Sequence, residues 1–492
     1  MSYELSDYQV TSRDFLADRT FACLFDVAGV GKTPPTIVAA WEKVQETGCP
    51  ALVTAPAYLL DNWEVEISRF APGARVVKAN GDGYEARRHA LASSGADFVL
   101  TSYNNWSAKW TTKAAEKAKE RYDLSDLADM STYLRARPIK EFHPRAGEYQ
   151  YDELSKLTWA ACIFDEGHRL RGRNSQGTKH VYGLRRAGAS NLSSPIWVLT
   201  GTPIVNNPGD LYPLLHLWDR RQYKSYWNFV GEYCRVVKTP WSTDVGQLRP
   251  GMDEEFQSLL GEFSLRRTLA DVPSLASLDS VERDYLVALP PSVVKTIETA
   301  RKEYIIEHED LERAEFVSGG GALYSKLRQL ATNPPTKEKP KVDFVADFLQ
   351  DHFGPVVVYV WYKASAQAVV ESLSKTKRPT TLITGDVPTA KRSALVDKWK
   401  TQQSGVLVAT ISSLKEGISL VHAKDVVFLE HSELPADQEQ CVARLKRRGQ
   451  TSLVTVHNVF AKGSPDMAIR RHLNDRTAGL KRALTSWLRE GE

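Results

Sequence analysis

Residues 26–35, DVAGVGKTPP, follow the apolar run FACLF and carry two glycines, a lysine and a threonine at the spacing of a phosphate-binding loop. Gly29 and Gly31 permit the backbone angles and the close approach that let N–H groups surround phosphates. Lys32 would reach the β- and γ-phosphates, and Thr33 would offer its hydroxyl to Mg²⁺. The loop therefore predicts a nucleotide site.

Two features of this loop depart from the generic motif. Asp26 stands six residues before the lysine, where the generic motif has glycine. We expect Pro34 and Pro35 to lie in the first helical turn, where N–H groups have no intrahelical partner, although Pro34 removes one donor that could contact phosphate. An ordinary strand–turn–helix connection is the alternative interpretation of this stretch.

A pair of carboxylates supplies a second part of the predicted site. CIFDEGH places Asp165 and Glu166 at the end of an apolar strand. At that position one carboxylate can hold Mg²⁺ through its water while its neighbour polarises the attacking water. His168 follows on the turn and could couple the site to its surroundings. Acid pairs also follow strands by chance, but together with a phosphate loop this pair predicts hydrolysis of a nucleoside triphosphate.

Hydrolysis also requires positive charge near the γ-phosphate in the transition state. QCVARLKRRGQ offers Arg444 and Arg447, which are three residues apart and would share one face if this segment is a helix. They belong to the second half of the chain, so we expect them to complete the site when two lobes close. A basic helix with no catalytic role is the alternative.

The elements that must position these residues alternate between short apolar strands and amphipathic helices, which is typical of parallel βαβ units. We predict the following strands: 21–25, 51–55, 97–103, 161–166, 196–202, 355–362, 380–385, 405–410, 425–431 and 452–460. The fold class is therefore α/β, with two parallel-sheet lobes and a mostly helical middle region rich in Trp, Tyr and Leu.

The predicted boundaries are 1–205 for the first lobe, 206–340 for the helical region and 341–492 for the second lobe. Residues 106–158 separate two strands that a short crossover would normally join, so we interpret them as an insertion. The insertion is either a solvated helical excursion or a contact with substrate or partner.

Composition narrows the class of protein. The 492 residues are 42% hydrophobic and 25% charged, which is typical of a globular chain with several domains. The five cysteines form no CxxC pair, so we predict neither a disulfide framework nor a cysteine zinc site. Residues 441–489 carry 11 Lys/Arg against 2 Asp/Glu, a positive patch that either attracts a polyanion or is a solvated helical face.

Longer motifs resemble the Swi/Snf-type DNA-dependent ATPases of helicase superfamily two. DVAGVGKT is similar to the family's phosphate loop, which begins with aspartate, and FDEGHRLRGRNS is similar to its DEAH box. LTGTPIVNNPGDLYPLLHL (199–217) resembles the third motif, and LVTAPAYLLDNWEVEISRF (52–70) and VLVATISSLKEGISL (406–420) are collinear with further motifs. QTSLVTVHNVFAKGSPDMAI is most similar to the annealing-helicase branch.

The resemblance implies two RecA-like lobes that bind ATP and Mg²⁺ and contact duplex or branched DNA without sequence preference. Gln9 would read adenine, Gln440 would belong to the ATP site, and Gly417 would join His168 in coupling that site to DNA. The predicted DNA contacts are Thr54, Thr101, Thr202, Thr384, Arg392 and Thr410. Alternatively, the threonines are ordinary residues at strand ends and the arginine is a solvated side chain.

Three positions depart from the family pattern. Gly167 replaces the usual alanine after the acid pair, a change that we expect to be sterically harmless. Lys415 and Glu416 stand where the family has a glycine-rich turn, of which Gly417 is kept. Arg448 replaces an apolar residue beside the two candidate arginines.

The expected function is ATP-driven translocation on DNA, or its remodelling, in repair, recombination or replication-fork processing. A strand-separating DNA or RNA helicase remains an alternative, as does a catalytically weak DNA-binding scaffold, which the altered glycine turn would suit. The N-terminus is polar, and no apolar run in the chain is long enough to span a membrane. We therefore expect no membrane contact and a location in a bacterial or phage-infected cytoplasm, or in a nucleus.

Overall fold

The computed structural model describes residues 4–79, 95–107, 158–182, 194–238, 243–272, 280–307, 313–376, 378–414, 418–447 and 449–483. The described residues form two compact units. The first contains the residues up to Val272 together with Lys481–Ala483, and the second runs from Ser280 to Leu480. The predicted middle region, 206–340, divides between these units. The predicted insertion, 106–158, lies almost wholly outside the described residues.

The first unit is built on a parallel sheet. Its strands are β1 (Phe21–Leu24), β2 (Ala51–Ala55), β3 (Val76–Lys78), β4 (Phe98–Ser102), β5 (Cys162–Asp165), β6 (Ile196–Leu199) and β9 (Ser264–Leu265), and an antiparallel hairpin adds β7 (Cys234–Lys238) and β8 (Thr243–Leu248). The strand order of the sheet is β3–β4–β2–β5–β6–β1–β9, and every neighbouring pair is parallel.

Helices of the first unit connect and cover these strands. They are α1 (Asp7–Ala17), α2 (Thr33–Thr47), α3 (Leu60–Phe70), α4 (Tyr103–Ser107), α5 (Gln176–Val181), α6 (Tyr212–Trp218), α7 (Tyr226–Tyr233) and α8 (Asp253–Phe263). The central strands β1, β2, β4, β5 and β6 are almost wholly buried, as expected for a parallel sheet covered on both faces. Because parallel strands share their direction, the loops that leave their carboxyl ends meet at one edge of the sheet.

The second unit contains a six-stranded parallel sheet. Its strands are β10 (Ser280–Val287), β11 (Val356–Val360), β12 (Thr380–Ile383), β13 (Val406–Thr410), β14 (Asp425–Phe428) and β15 (Val454–Ala461). Its helices are α9 (Pro291–Glu307), α10 (Arg313–Thr332), α11 (Pro340–Asp351), α12 (Lys363–Leu373), α13 (Thr389–Lys400), α14 (Ile411–Leu414), α15 (Pro435–Val442) and α16 (Asp466–Ala483). The strand order is β10–β15–β14–β11–β13–β12, all parallel.

Both faces of the second sheet carry an apolar core. Successive residues of β11 alternate between the two cores, with Val356 and Val358 on one face and Val357 and Tyr359 on the other. Helices α11 and α12 cover the first face, and α13 and α15 cover the second. This arrangement confirms the predicted α/β class with two parallel-sheet lobes.

Each of the ten strands predicted from sequence overlaps an observed strand. The middle region contains the predicted helices, but it also supplies β9 to the first sheet, β10 to the second and the β7–β8 hairpin. Edge strands such as β10 were missed because they are polar and largely exposed, so they lack the apolar run of a central strand.

All five cysteines are free thiols, four of them buried. Among the described residues, none of the helices combines the length and the apolar character that crossing a lipid bilayer requires.

Candidate nucleotide site and neighbouring strand ends

The phosphate loop leaves β1 and enters α2 at Thr33. Gly29 and Gly31 have φ angles of 99° and 95°, in the left-handed region that favours glycine. Lys32 donates from Nζ to the backbone carbonyl of Asp26 at 2.6 Å, so its ammonium group is held within the loop. The two prolines follow Thr33 in the first turn of α2, as predicted.

Helix α1 docks directly on this loop. Tyr8 donates from its hydroxyl to the carbonyl of Val30 at 2.9 Å, and Gln9 donates from Nε2 to the carbonyl of Gly31 at 3.1 Å. Gln9 Oε1 accepts from the backbone N–H of Ser6 at 3.1 Å. The predicted adenine reader therefore lies against the loop, with both ends of its amide hydrogen-bonded to backbone.

Asp26 has a structural partner that sequence reasoning missed. Its carboxylate accepts from the backbone N–H of Arg267 at 2.7 Å and lies 3.5 Å from that guanidinium, and both side chains are about 2% exposed. Burial raises the pKa of Asp26, while the charges of Arg267 and Lys32 oppose this shift. The aspartate thus anchors the start of the phosphate loop to the segment that follows β9.

Asp165 lies at the end of β5 in a shell of donors. Its Oδ2 accepts from the indole of Trp63 at 2.9 Å, its Oδ1 accepts from the N–H of Glu166 at 2.9 Å, and its carbonyl accepts from the hydroxyl of Tyr103 at 2.7 Å. Burial and the neighbouring Glu166 raise the pKa of Asp165 to about 6, although Trp63 and Lys32 act in the opposite direction. Asp165 is therefore mostly ionised at neutral pH, and its negative charge lies beside that of Glu166.

Lys32 and the acid pair interact electrostatically. Burial lowers the pKa of Lys32, and the charges of Glu166, Asp26 and Asp165 raise it in opposition. The structure thus brings the predicted phosphate-binding lysine and both predicted carboxylates to the same edge of the first sheet.

Glu166 has an unusual backbone conformation. Its φ of 53° makes it the only non-glycine residue at positive φ among the described residues. Such a conformation costs about 1–3 kcal/mol and is concentrated at functional sites. The strained turn directs Glu166 towards His168, whose Nδ1 lies 3.3 Å from its Oε2.

His168 connects the acid pair to the loop that follows β6. The same Nδ1 lies 3.1 Å from the hydroxyl of Thr200 and 3.5 Å from that of Thr202, and the Thr202 N–H donates to Thr200 Oγ1 at 3.1 Å. One ring nitrogen thus has three oxygens within reach. This geometry suits a residue that exchanges partners between the acid pair and the neighbouring loop.

Gly167 fits the space available, and the alanine that is usual in the family would not. A Cβ atom at this position would lie 2.2 Å from Cγ1 of Val198, so alanine cannot fit without displacing a buried strand residue. The φ of Gly167 lies outside the left-handed region, so the requirement is for space rather than for backbone freedom.

We predict that Gly167→Ala lowers the free energy of unfolding by about 1–3 kcal/mol, the usual cost of overpacking. Urea denaturation of the two single variants and of the double variant with Val198→Ala provides the test. If the clash is the cause, adding Gly167→Ala to the Val198→Ala background costs much less than adding it to the wild type. Equal costs in both backgrounds would contradict this explanation.

The predicted DNA contacts of the first unit are interior residues. Thr54 Oγ1 accepts from the indole of Trp106 at 3.0 Å, and Thr101 Oγ1 accepts from the side chain of Asn105 at 2.9 Å. Thr202 is also buried. Both hydroxyls thus accept a hydrogen bond from helix α4, and Thr101 also donates to the carbonyl of Ala79 at 3.4 Å, so contact with DNA phosphates through these residues stays a prediction.

The predicted DNA contacts of the second unit also make internal bonds. The hydroxyls of Thr410 and Ser413 are 2.6 Å apart, and Arg392 donates to the carbonyls of Val387 at 2.9 Å and Ser413 at 3.0 Å. Thr384 is buried. Arg392 therefore joins the loop after β12 to helix α14, in contrast to a freely solvated arginine.

Gln440 and the two candidate arginines lie beyond β14. Gln440 is buried in α15, and its Oε1 has no hydrogen-bond partner among the residues that the structure describes. Helix α15 ends at Val442, so the prediction that Arg444 and Arg447 share a helical face is wrong. They belong to a turn, in which Arg444 is buried and Arg447 is partly exposed.

This turn is held by a residue whose role sequence reasoning missed. Gln450 donates from Nε2 to the carbonyl of Ala423 at 2.9 Å and lies within 3.3 Å of the carbonyls of Val421 and Leu445. Gly449, at φ 103°, makes the reversal possible. Gly417, the other predicted coupling residue, lies outside the described residues, as do Lys415, Glu416 and Arg448.

Comparison with protein families matches residues 8–296 to the SNF2-related domain and residues 340–449 to the helicase conserved C-terminal domain. The chain belongs to the SNF2-related family. Its two matched segments cover the phosphate loop and acid pair in the first case, and Gln440 and both arginines in the second. The sequence-based resemblance to Swi/Snf-type ATPases is thereby confirmed.

Individual proteins agree with this assignment. The chain is 26% identical over 447 residues to the SWI/SNF-related matrix-associated actin-dependent regulator of chromatin subfamily A-like protein 1 of Xenopus tropicalis, covering 90% of this chain and 41% of that protein. It is 24% identical over 331 residues to the mouse DNA annealing helicase and endonuclease ZRANB3, covering 66% and 30%. The chain thus spans less than half the length of these relatives.

One solved structure aligns with almost the whole chain. It is the SWI2/SNF2 ATPase core of Sulfolobus solfataricus in complex with dsDNA, at 19% identity and a TM-score of 0.41, covering 99% of this chain and 98% of that one.

The raised pKa of Asp165 predicts that ATP hydrolysis depends on pH. Because the ionised carboxylate is the form that would hold a cation, we expect kcat/KM for ATP to fall as the pH drops through about 6. Trp63→Phe removes a hydrogen bond that lowers this pKa, so its profile should fall at a higher pH. Trp106→Phe loses a similar indole bond to Thr54 and should keep the wild-type profile. If the wild type and both variants had the same pH profile, Asp165 would not be the group that titrates.

Proposed function

We propose that the chain is a DNA-dependent ATPase that translocates along duplex or branched DNA without sequence preference. One observation carries this proposal: a phosphate loop and a strained acid pair lie together at one edge of the first sheet, in a member of the SNF2-related family. We further propose that 1–205, 206–340 and 341–492 act as first lobe, connecting region and second lobe of this motor.

Within the proposed nucleotide site, the loop and α1 bind ATP through Gln9, Gly29, Gly31 and Lys32. Lys32 is held by loop carbonyls, and it would exchange these acceptors for phosphate oxygens. Gln440 is proposed as a further ATP contact, supported by its buried oxygen that lacks a partner among the described residues.

A divalent cation fits the oxygens at this edge. Thr33 and Asp165 offer a hydroxyl and a carboxylate, the ligand type that Mg²⁺ prefers, and a cation would relieve the repulsion between Asp165 and Glu166 that contributes to the raised pKa of Asp165. When bound, Mg²⁺ would neutralise phosphate charge. Glu166 is the proposed base that orients the attacking water, and His168, which lies against it, is proposed to couple the acid pair to the loop after β6.

Arg444 and Arg447 are proposed to stabilise charge on the γ-phosphate. Gly417 is proposed as a coupling residue on the strength of the family resemblance. We propose that DNA phosphates are contacted at the strand ends marked by Thr54, Thr101, Thr202, Thr384, Arg392 and Thr410. Because most of these side chains are buried or make hydrogen bonds within the protein, backbone N–H groups of the same loops are the proposed donors to phosphate.

The compartment that follows from this activity is one that contains DNA, either a bacterial or phage-infected cytoplasm or a nucleus.

Translocation can be separated from strand separation in two parallel assays. A labelled third strand on a duplex reports translocation, and a labelled strand of a partial duplex reports unwinding. We expect ATP-dependent release of the third strand and little unwinding, with Lys32→Ala inactive in both. Unwinding without triplex displacement would instead favour the strand-separating helicase.

A further inference from the structure

The second unit contains a cluster of potential metal ligands outside the proposed ATPase machinery. One ring nitrogen each of His352 and His457 and a carboxylate oxygen of Asp425 lie within 4.8 Å of one another. Asp425 is the first residue of β14, so the cluster lies towards the amino end of this strand, whereas Gln440 and Arg444 follow its carboxyl end.

The fold places these three side chains together. Asp425 is paired in register with Thr455, two residues before His457, so Asp425 and His457 project from the same face of the sheet. Helix α11 covers this face and ends at Asp351, immediately before His352. The ring of Phe348 stacks on His352 at 3.7 Å and meets the edge of His457 at 4.6 Å.

Hydrogen bonds to the other ring nitrogens orient both histidines. His352 Nδ1 lies 2.9 Å from the carbonyl of Phe348, which can only accept, so Nδ1 is the donor of this bond and Nε2 is the nitrogen left for a metal ion. His457 Nδ1 lies 3.1 Å from the hydroxyl of Tyr285, and its Nε2 lies 3.0 Å from Asp425. A histidine that binds a metal ion through one ring nitrogen usually makes a hydrogen bond through the other.

The loop that carries His352 is fixed in place. Arg378 donates to the carbonyl of His352 and also to those of Leu349 at 3.1 Å and Gly354 at 2.6 Å. His457 and Asp425 are buried, and His352 is partly exposed. The cluster therefore combines a preformed interior with a side that a metal ion and a water ligand can reach.

We propose that His352, Asp425 and His457 bind one Zn²⁺ ion per chain. Two neutral imidazoles and one carboxylate are a ligand set that suits this ion, with water in the fourth position. Donors around tetrahedral Zn²⁺ are about 3.3 Å apart, given bonds of about 2.0–2.1 Å. The ligand atoms would therefore move together by about an ångström as the ion enters.

Nε2 of His457 lies 3.0 Å from Oδ1 of Asp425, so an entering ion would replace this contact with one bond to each group, and a proton held between them would pass to water. The consequence would be a clamp that holds the end of α11 against β14 and β15.

The test uses the full chain after dialysis against a chelator, with Zn²⁺ alone as the titrant in calorimetry. We expect one saturable site per chain, a higher melting temperature with Zn²⁺, reversal by chelator and no effect of Mg²⁺ at the same concentration. His352→Gln, at the most exposed ligand, should weaken binding about 10-fold or more. The matched control is His422→Gln, a histidine of the same unit that bonds to the carbonyl of Gln402 outside the cluster.

Tyr285→Phe distinguishes a histidine cluster that binds Zn²⁺ from one that only stabilises the fold. It removes only the partner of His457 Nδ1, so we expect about 10-fold weaker Zn²⁺ binding with unchanged stoichiometry. Wild-type protein that binds no Zn²⁺ would overturn the proposal and leave a plain Asp425–His457 ion pair. Binding that His352→Gln and Asp425→Asn leave unchanged, in variants whose circular dichroism shows that they are folded, would overturn it as well.

Discussion

Glu166→Gln should leave ATP binding intact and lower the rate of ATP hydrolysis by about 10²- to 10⁴-fold, the usual contribution of a general base. The substitution keeps the size of the side chain and a possible hydrogen bond to His168, which lies 3.3 Å away. It removes the charge that orients the attacking water. The measurement is steady-state ATP turnover together with the affinity for a fluorescent ATP analogue.

Glu282→Gln is a suitable control, because Glu282 lies on the exposed edge strand β10, far in sequence from the acid pair. It should keep wild-type turnover. A Glu166→Gln protein that hydrolyses ATP at a rate close to wild type would show that another group activates the water.

Arg447→Ala should reduce hydrolysis by about 10³- to 10⁵-fold if this residue neutralises transition-state charge as an arginine finger does. ATP affinity should change far less, since the contact would be made chiefly in the transition state. Arg447 is the better target of the pair because it is partly exposed. Arg444 is buried, so its substitution would also affect the stability of the fold.

Lys446→Ala provides a charge-matched comparison within the same turn. Lys446 lies 3.3 Å from the hydroxyl of Ser280, and its loss should have only a small effect on turnover. If Arg447→Ala instead abolished ATP binding without lowering kcat, the arginine would act in ground-state binding and the proposed role would fail.

The sequence predicted most of the two sheets, because central parallel strands are short apolar runs bounded by turn residues. Ala51–Ala55, for example, coincides with the predicted strand. The phosphate loop could be predicted for a similar reason: its chemistry depends on residues that are adjacent in the chain. Glycines at φ above 90° and a lysine at the helix start follow from local spacing alone.

Contacts between distant residues could not be predicted in this way. Asp26 meets Arg267 across 241 positions, and Trp63 meets Asp165 across 102. No periodicity links such pairs, because their proximity depends on the strand order of the sheet. The same limit explains Gly167, where the deciding atom belongs to Val198 on the neighbouring strand.

The arginine segment illustrates a different limit. A spacing of three residues indicates a shared face only where a helix continues, and α15 ends at Val442. The turn that follows is set by Gly449 and by the amide of Gln450, which bonds to the carbonyls of Ala423 and Leu445. A sequence pattern predicts the existence of a helix more reliably than the residue at which it ends.

ATP turnover measured with and without duplex DNA tests the central claim most directly, with Lys32→Ala as the inactive reference. The account predicts that duplex or forked DNA raises the turnover of the wild-type chain well above its DNA-free rate, irrespective of base sequence. Turnover that is equal with and without DNA, at saturating ATP and Mg²⁺, would contradict it.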